Sequence, residues 1–477
     1  MIRRWFSRYS VRYPRSLVYM LQASEYHPGD FLRWYHKVKN FATVEQRKQL
    51  VRTKKAQYLL AVSWVILLIG GISAVSLLMS AADIPAYINA LLVIVVLPYI
   101  VPYVLLGVVF GTHILIERPV EYLLMRRARN ILAAHPAKKI AIAGSFGKTT
   151  TREILKTVLS ESKRVAAPPH NHNTPLGICE FIATLRGDEE VLIFELGEYY
   201  PGDVRTLCDL IKPDMGFITG INEAHLEKFK TLDRTAATIF ELADHLGDKR
   251  LYVNGENDLA KTHARTGHIL YDRSGVDEWR VTQPHTNIDG TSFELVHDRT
   301  QLMLHSSLLG LHHVGPLAAA ADCAIHLGLS PTDVMRGVAA TKPFEHRLHP
   351  ATDSAGVTTL DDSYNGNPDG VMAVIAFLSS LAGRRRWYVT PGLVEMGERT
   401  RDVHIEIGKQ LATAQIEKVI LIKNSVTPSI ADGLKEGGYT GDLLWYDDAL
   451  EAFRALPLLT VSGDVVLLQN DWPDQYQ

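Results

Sequence analysis

Cysteine is nearly absent: the chain of 477 residues has three, Cys179, Cys208 and Cys323, with neither metal-ligand spacing nor a pairing pattern. That excludes a disulfide framework and agrees with a reducing compartment. Internal repeats and low-complexity segments are lacking as well. A cationic excess is also missing, since 50 Lys plus Arg stand against 52 Asp plus Glu, a net charge of −2, and no nucleic-acid partner is expected. The balance is uneven along the chain. Its first 55 residues hold 13 Lys or Arg and 3 Asp or Glu, and a basic front of this kind suits a negatively charged surface.

In two stretches, charge of either sign vanishes. No Asp, Glu, Lys or Arg lies between Lys55 and Asp83, and none between Asp83 and Glu117. Each gap exceeds the roughly 20 apolar residues that span a bilayer, and the first comes too late and runs too long for a secretory signal. The second carries Pro98 and Pro102, which predicts a kinked helix whose freed carbonyls are satisfied by its partner helix. Arg47, Lys48, Arg52, Lys54 and Lys55 precede the first gap, and Arg118, Arg126, Arg127 and Arg129 follow the second. The connecting AADIPAY has no basic residue. The positive-inside rule then places both termini in the cytoplasm.

The expectation is a basic segment 1–56, a transmembrane hairpin 57–116 (spans at 57–80 and 86–113) in the inner, cytoplasmic membrane, and a linker helix 117–135. A pair of core helices in a soluble protein is the competing reading. The part holding Trp34, Tyr35, His36, Lys37 and Lys39 suits either an amphipathic helix lying along the membrane or a solvated tail.

The soluble remainder is organised around KKIAIAGSFGKTTT, residues 138–151. Ile140 to Ala143 read as a buried strand, and Gly144 to Thr151, with Ser145, Phe146 and Gly147, as a turn opening a helix that carries on through Glu153, Leu155 and Val158. Such a turn aims backbone N–H groups at an anion, the helix N-terminus adds partial positive charge, and Lys148 adds a full one. Thr149 would set a hydroxyl on Mg²⁺, with Thr150 beside it. A glycine turn carrying an exposed lysine is the bland alternative.

Downstream, short apolar runs at 191–194, 215–219 and 250–253 alternate with helical stretches at 203–211 and 234–246, the βαβ signature of a mostly parallel sheet. Residues 269–307 suggest a small antiparallel insertion, and 317–329 an Ala-rich helix. A boundary near 341–348 precedes further strand-like runs at 357–360, 387–390, 418–422, 443–446 and 465–468. The fold class expected is therefore α/β: a central P-loop domain, 136–343, and a C-terminal Rossmann-like domain, 344–477.

Glu195 closes one strand, and His225 follows another in INEAHLEKF. The carboxyl ends of strands in an open parallel sheet line the ligand crevice, so both would face the phosphate loop. A carboxylate there completes a Mg²⁺ shell begun by Thr149, and a neutral imidazole suits a second ion. Singly, Glu195 reads equally well as a solvated strand end, and a lone histidine is more often structural.

GSFGKTT at 144–150, HNTPLG at 172–177, ELGEYYPGDV at 195–204, AHLEKF at 224–229, EHRL at 345–348 and DDSYNGNP at 361–368 resemble, in order, the Mur ligases, and among them the MurF type. The resemblance runs over roughly 136–410. It implies an ATP-dependent amide ligase of cell-wall precursor synthesis, with ATP and Mg²⁺ as cofactors and an acyl phosphate as intermediate. Its acceptor would be a muropeptide or other carboxylate, and its amine D-alanyl-D-alanine or another. By similarity, Lys148 and the loop amides hold the β- and γ-phosphates, Thr149 and Glu195 one Mg²⁺, and His225 the other. Arg347 reaches the phosphates from the interdomain hinge, and Asp362 contacts the ribose. A surface arginine and a turn-forming aspartate are the plain readings of those two.

Three departures stand out. Ungapped alignment puts Ile239 where the family carries a carbamylated lysine, leaving Glu227, Asp233 or Glu241 to substitute. The family's adenine-facing His-Asn motif reads His312-His313, and its later Asn is Pro316. The UDP-binding amino-terminal domain of the soluble enzymes is replaced by the apolar hairpin. That replacement suggests a lipid-linked acceptor beside the membrane, while Ile239 and His313 raise the alternative of a catalytically weakened nucleotide-binding module. A transport NTPase is disfavoured, because the spans carry no ionisable residue except His113. Glu395, Met396 and His404 resemble a segment near the family's amine side, with a plain strand-to-helix loop as the alternative.

Overall fold

The computed structural model describes residues 2–24, 26–44, 49–80, 84–169, 172–222, 229–364, 366–394 and 396–470. The chain forms two compact units, Met1–Leu123 and Leu124–Trp472.

In the first unit, the uncharged stretches become the helices Lys54–Met79 and Ile84–Thr112. Both are long and apolar enough to cross a membrane, and most of their surface is not buried by protein. Their exposed side chains include Leu68, Ile72, Ile88 and Leu91. Three shorter helices, Ile2–Ser7, Tyr13–Ala23 and Pro28–Lys37, pack on them. Tyr13, Leu17, Phe31 and Phe41 are fully buried in one core with Leu59, Val101 and Leu105. The front of the chain is thus neither a solvated tail nor a lone surface helix: its aromatic residues fill a core of their own.

The prolines explain why. Pro102 has no N–H, so the carbonyl of Pro98 loses its helical donor. The Tyr13 hydroxyl donates to that oxygen at 2.7 Å, and the Tyr9 hydroxyl reaches the Val95 carbonyl at 3.4 Å. At the Pro98 carbonyl the expected donor, the partner helix, is replaced by Tyr13 of the Tyr13–Ala23 helix.

The second unit holds two sheets. In the first are β1 (Lys138–Ala143), β2 (Val165–Ala166), β3 (Val191–Glu195), β4 (Met215–Ile218), β5 (Leu251–Asn254), β6 (Ile269–Asp272), β7 (Gly275–Val276), β8 (Trp279–Asn287), β9 (Gly290–His297) and β10 (Thr300–Ser306). Their order is β10-β9-β8-β7-β6-β5-β4-β1-β3-β2. Strands β1 to β6 pair in parallel, and β7 to β10 continue the same sheet antiparallel. The stretch expected as a small antiparallel insertion is antiparallel from β7 to β10 and extends the main sheet, while its first strand, β6, pairs in parallel with β5.

Side-chain alternation sorts the central strands. Ile140, Ile142, Val191 and Ile193 enter a core with the helices Lys148–Leu159 and Val314–His326. Ala141, Ala143, Leu192 and Phe194 enter another with the helix Asp203–Ile211. A sheet buried on both faces reads as continuous apolar runs, as these strands do. The helical stretch 234–246 is two helices, Leu232–Ile239 and Glu241–Leu246, meeting at Phe240.

The second sheet contains β11 (His349–Thr352), β12 (Thr358–Asp362), β13 (Arg386–Thr390), β14 (Lys418–Ile422), β15 (Asp442–Tyr446) and β16 (Val465–Gln469), in the order β11-β12-β16-β13-β14-β15. All neighbours are parallel except β11 with β12.

Candidate active site

Strand β1 lies between β3 and β4, and the chain leaves it to one side and returns on the other. A crevice opens outside the carboxyl ends at such a switch of direction. Gly144 to Gly147 turn there into the Lys148–Leu159 helix. Gly147 has φ 77°, a left-handed conformation that favours glycine. The helix has no side-chain cap, so its first N–H groups are open to an anion. Across the turn, Ser145 N donates to Gly220 O at 2.7 Å, and the Thr219 hydroxyl to the Phe146 carbonyl. Ser145 Oγ is buried with no partner among the described residues.

Charged groups converge on this turn. Lys148 Nζ contacts the Gly144 carbonyl and Glu198 Oε1, the latter at 2.8 Å. Thr149 Oγ1 donates to Glu195 Oε1 at 2.7 Å. The other carboxylate oxygen, Oε2, accepts from Arg152 Nη1 at 2.7 Å, with both side chains 5% exposed. Two buried pairs therefore hold the site's charges in balance, and removing one member of such a pair leaves the other uncompensated. Thr150 follows in the first helical turn, partly buried.

The hinge contributes Arg347. It follows His346 and precedes Leu348, with φ 60° and 46°, backbone conformations that bulky residues adopt only when their surroundings hold them there. Leu348 N is held by Asp362 Oδ1 at 3.1 Å, and His346 Nδ1 lies 2.7 Å from Asp361 Oδ2. Burial lowers the Arg347 pKa, while the charges of Asp362 and Glu195 favour its guanidinium form. Arg347 is therefore within electrostatic range of Glu195 on β3 and Asp362 on β12, and its guanidinium carbon lies 5.2 Å from the Tyr364 ring centroid. Asp362 is pushed up to about 7, first by burial, against the Leu348 N–H and Arg347. A further bond joins the two sheets' ends: Asn222 Nδ2 donates to Asn367 Oδ1 at 3.1 Å and to Asp369 Oδ2 at 3.2 Å.

The structure thus brings together Gly144, Ser145, Phe146, Gly147, Lys148, Thr149 and Glu195, with Arg347 and Asp362 on the hinge side. His225 and Glu227 lie outside the described residues. Ile239 is fully buried in an apolar core, Asp233 is exposed, and Glu241 Oε2 accepts from Arg205 N at 2.9 Å. None of these three takes a carbamylated lysine's place at the turn.

The His312 and His313 rings lie with centroids 4.0 Å apart and their planes tilted by 45°. Burial drives both pKa values down, His312 to about 4, with Arg273 adding to the shift. His404 is buried and holds its own loop, its Nε2 accepting from Leu393 N at 2.9 Å and its Nδ1 bonding the Thr400 carbonyl. Met396 is buried as well, and Glu395 lies outside the described residues.

Sequence reasoning gave no role to Glu198, Arg152 or Asn222. Glu198 lies inside the ELGEYYPGDV motif and Arg152 one turn beyond Lys148, so their proximity was legible. Their pairing was not.

The donor set suits a magnesium-bound nucleotide. A hydroxyl and a carboxylate in contact are hard oxygen ligands of the kind Mg²⁺ takes. An uncapped helix N-terminus, a lysine and an orphaned serine hydroxyl suit phosphate. No cluster of three or more metal-ligating side chains occurs among the described residues, so water and phosphate oxygens would complete the shell.

Residues 142–324 match the family model described as Mur ligase middle domain, and 346–469 the one described as Mur ligase, glutamate ligase domain. Among curated relatives, the UDP-N-acetylmuramoyl-tripeptide–D-alanyl-D-alanine ligase of Mycobacterium tuberculosis is 28% identical over 295 residues. That match covers 59% of this chain, and the chain spans 58% of that relative's length. The Bacillus subtilis enzyme of the same name is 24% identical over 356 residues, covering 72% of this chain and 76% of its own. Among solved structures, MurF ligase of Thermotoga maritima in complex with ADP has a TM-score of 0.64 at 24% identity, covering 74% of this chain and 80% of its own. MurF of Acinetobacter baumannii has a TM-score of 0.64 at 22% identity, covering 73% and 77%. These likenesses establish the α/β fold.

Proposed function

The chain belongs to the Mur ligase family, and on that premise we propose that it is an ATP-dependent peptide ligase of cell-wall precursor synthesis. It joins the carboxylate of a muropeptide to D-alanyl-D-alanine or a similar amine. The observation that carries this reading is the meeting of Lys148, Thr149 and Glu195 at one turn, 2.7 Å between the last two.

The chemistry needs a carboxylate oxygen to attack the γ-phosphorus of ATP. The bond to the bridging oxygen breaks, ADP leaves, and an acyl phosphate forms. The amine nitrogen then attacks the acyl carbon, inorganic phosphate leaves, and the nitrogen gives up a proton. Carboxylate and triphosphate repel, so charge neutralisation and positioning are the main requirements. Lys148 and the turn amides would hold the β- and γ-phosphates, and Thr149 and Glu195 would orient a magnesium ion. Bound there, the ion supplies charge to the phosphate oxygens. His225 would serve a second ion. Arg347 would reach the transferring phosphate as the two sheets' ends close over the nucleotide and exclude water, and Asp362 would lie on the ribose side.

The helices Lys54–Met79 and Ile84–Thr112 are read as a hairpin through the inner membrane with both termini cytoplasmic, which puts the catalytic residues where ATP is. A membrane-held ligase gains most with an acceptor confined to the same leaflet, so a lipid-linked muropeptide is the finer proposal and a UDP-linked one its competitor.

The test is ADP release by the full-length protein, with mass spectrometry of the products, for each acceptor with and without D-alanyl-D-alanine. Release that requires both partners supports ligation, and the better acceptor names the substrate. Unstimulated hydrolysis refutes it. Nucleotide binding without release favours the second reading, a nucleotide-binding module that has lost turnover, which the core position of Ile239 motivates.

A further inference from the structure

Arg8 is only 8% exposed and makes no ion pair with a carboxylate among the described residues. Its guanidinium carbon sits 4.2 Å from the Tyr99 ring centroid, 5.4 Å from that of Phe41 and 5.7 Å from that of Tyr35. Its Nη1 donates to the Tyr99 hydroxyl at 3.3 Å, and its Nε is buried with no partner among the described residues. One turn earlier, Arg4 Nη2 donates to the Tyr35 carbonyl at 2.8 Å, and the Arg4 Nε is likewise buried with no partner among the described residues. Two guanidinium groups therefore converge on Tyr35. Aromatic faces attract a cation but do not neutralise it, and a buried charge without a counter-charge is costly.

The place of the cage in the fold says what the counter-charge is. At 1.5 Å per residue, Tyr99 stands about 22 Å along its helix from Ile84, near the inner edge of a hydrocarbon core of about 30 Å. The anionic groups nearest that depth are the lipid phosphates at the inner edge, about 8 Å further along the helix, toward which a long guanidinium side chain extends. The front of the chain carries 13 Lys or Arg against 3 Asp or Glu in its first 55 residues, a surplus that favours anionic lipid on the cytoplasmic side. Guanidinium groups bind phosphate through paired N–H donors, and the idle Nε atoms are such donors.

We propose that Arg4 and Arg8 form a binding site for a lipid-borne phosphate, either the phosphodiester of a phospholipid or the diphosphate of a lipid-linked precursor. The inference rests on the membrane reading above and is independent of the ligation chemistry.

The test is native mass spectrometry of the full-length protein released from membranes in mild detergent. It is then supplied with phosphatidylglycerol, phosphatidylcholine or a polyprenyl diphosphate. The wild type should retain one firmly held lipid that R4Q/R8Q retains at least tenfold less, with helix content by circular dichroism unchanged. Arg8→Lys keeps the charge but loses the fork, and should retain lipid to an intermediate degree; it also serves if the double variant fails to fold. Preference for the phospholipid or the diphosphate supports the site and identifies its source. Equal retention by wild type and both variants overturns the site while leaving the membrane reading intact, whereas recovery of the protein in the soluble fraction without detergent overturns both.

Discussion

Lys148 Nζ lies 2.8 Å from Glu198 Oε1, with side chains 13% and 3% exposed. The lysine expected to hold phosphate is thus already neutralised by a carboxylate, and a nucleotide must take it from that partner. Glu198→Gln should destabilise the nucleotide-free protein by about 3 kcal/mol, the cost of leaving one member of a buried pair alone. Phosphate would then replace the lost carboxylate, so ADP should raise the melting temperature of the variant more than that of the wild type. Equal ADP-induced shifts in thermal denaturation would show that Glu198 does not compete.

Lys148→Met removes the cation itself. ADP release should fall about 100-fold or more, the range seen when one transition-state donor is lost. Stability should fall as well, because the buried Glu198 carboxylate loses the charge of Lys148. Adding Glu198→Gln to Lys148→Met should recover stability but not turnover, a non-additivity that a double-mutant cycle measures by urea unfolding and ADP release.

The charges of both Glu195 and Asp362 favour the Arg347 guanidinium, and the proposed mechanism uses it on the transferring phosphate. Arg347→Ala should lower turnover at least tenfold, and Arg347→Lys should restore part of it, since the charge survives but the fork does not. Steady-state ADP release reads both variants. Wild-type rates in Arg347→Ala would remove this residue from the proposed mechanism.

Asp362 is raised from 3.8 to about 7, chiefly by burial. Between those values the unfolded chain has lost this proton while the folded chain keeps it. The folded state then binds more protons, and this group's contribution to stability declines as pH rises from about 4 to about 7. Asp362→Asn cannot titrate, so its unfolding free energy in urea should lose less between about pH 5 and pH 8 than the wild type's does. Parallel pH dependences would contradict the burial argument.

The Tyr13 hydroxyl is the donor to the Pro98 carbonyl. Tyr13→Phe keeps the ring in its core and leaves that buried oxygen unpaired, at a cost of about 1–3 kcal/mol. Thermal unfolding in detergent should show the loss, and no change would mean that the carbonyl finds another donor.

The β1 strand and its glycine turn were legible because apolar periodicity and glycine position are local properties of the chain. The same holds for the two long apolar helices, whose uncharged runs need no partner to be recognised. The helix around 234–246 was less legible: its pattern continues through Phe240, yet the chain breaks there, with Ile239, Phe240 and Leu242 all buried in one core. Continuation of the main sheet through β7 to β10 was likewise invisible, since a strand's residues do not say which edge they join.

By itself, the sequence singled out the residues proposed to carry the chemistry: Lys148 and Thr149 after a glycine turn, Glu195 at a strand end, Arg347 ahead of the second sheet. Only the tertiary structure decided how they are paired. Glu198 meets Lys148 and Arg152 meets Glu195 because three strands and a helix end at the same place, and Tyr13 meets Pro98 across 85 residues of chain. The physical reason is range: propensity and alternation act over a few neighbouring residues, whereas a buried charge or an orphaned carbonyl is satisfied by whatever group the completed fold brings within about 3 Å.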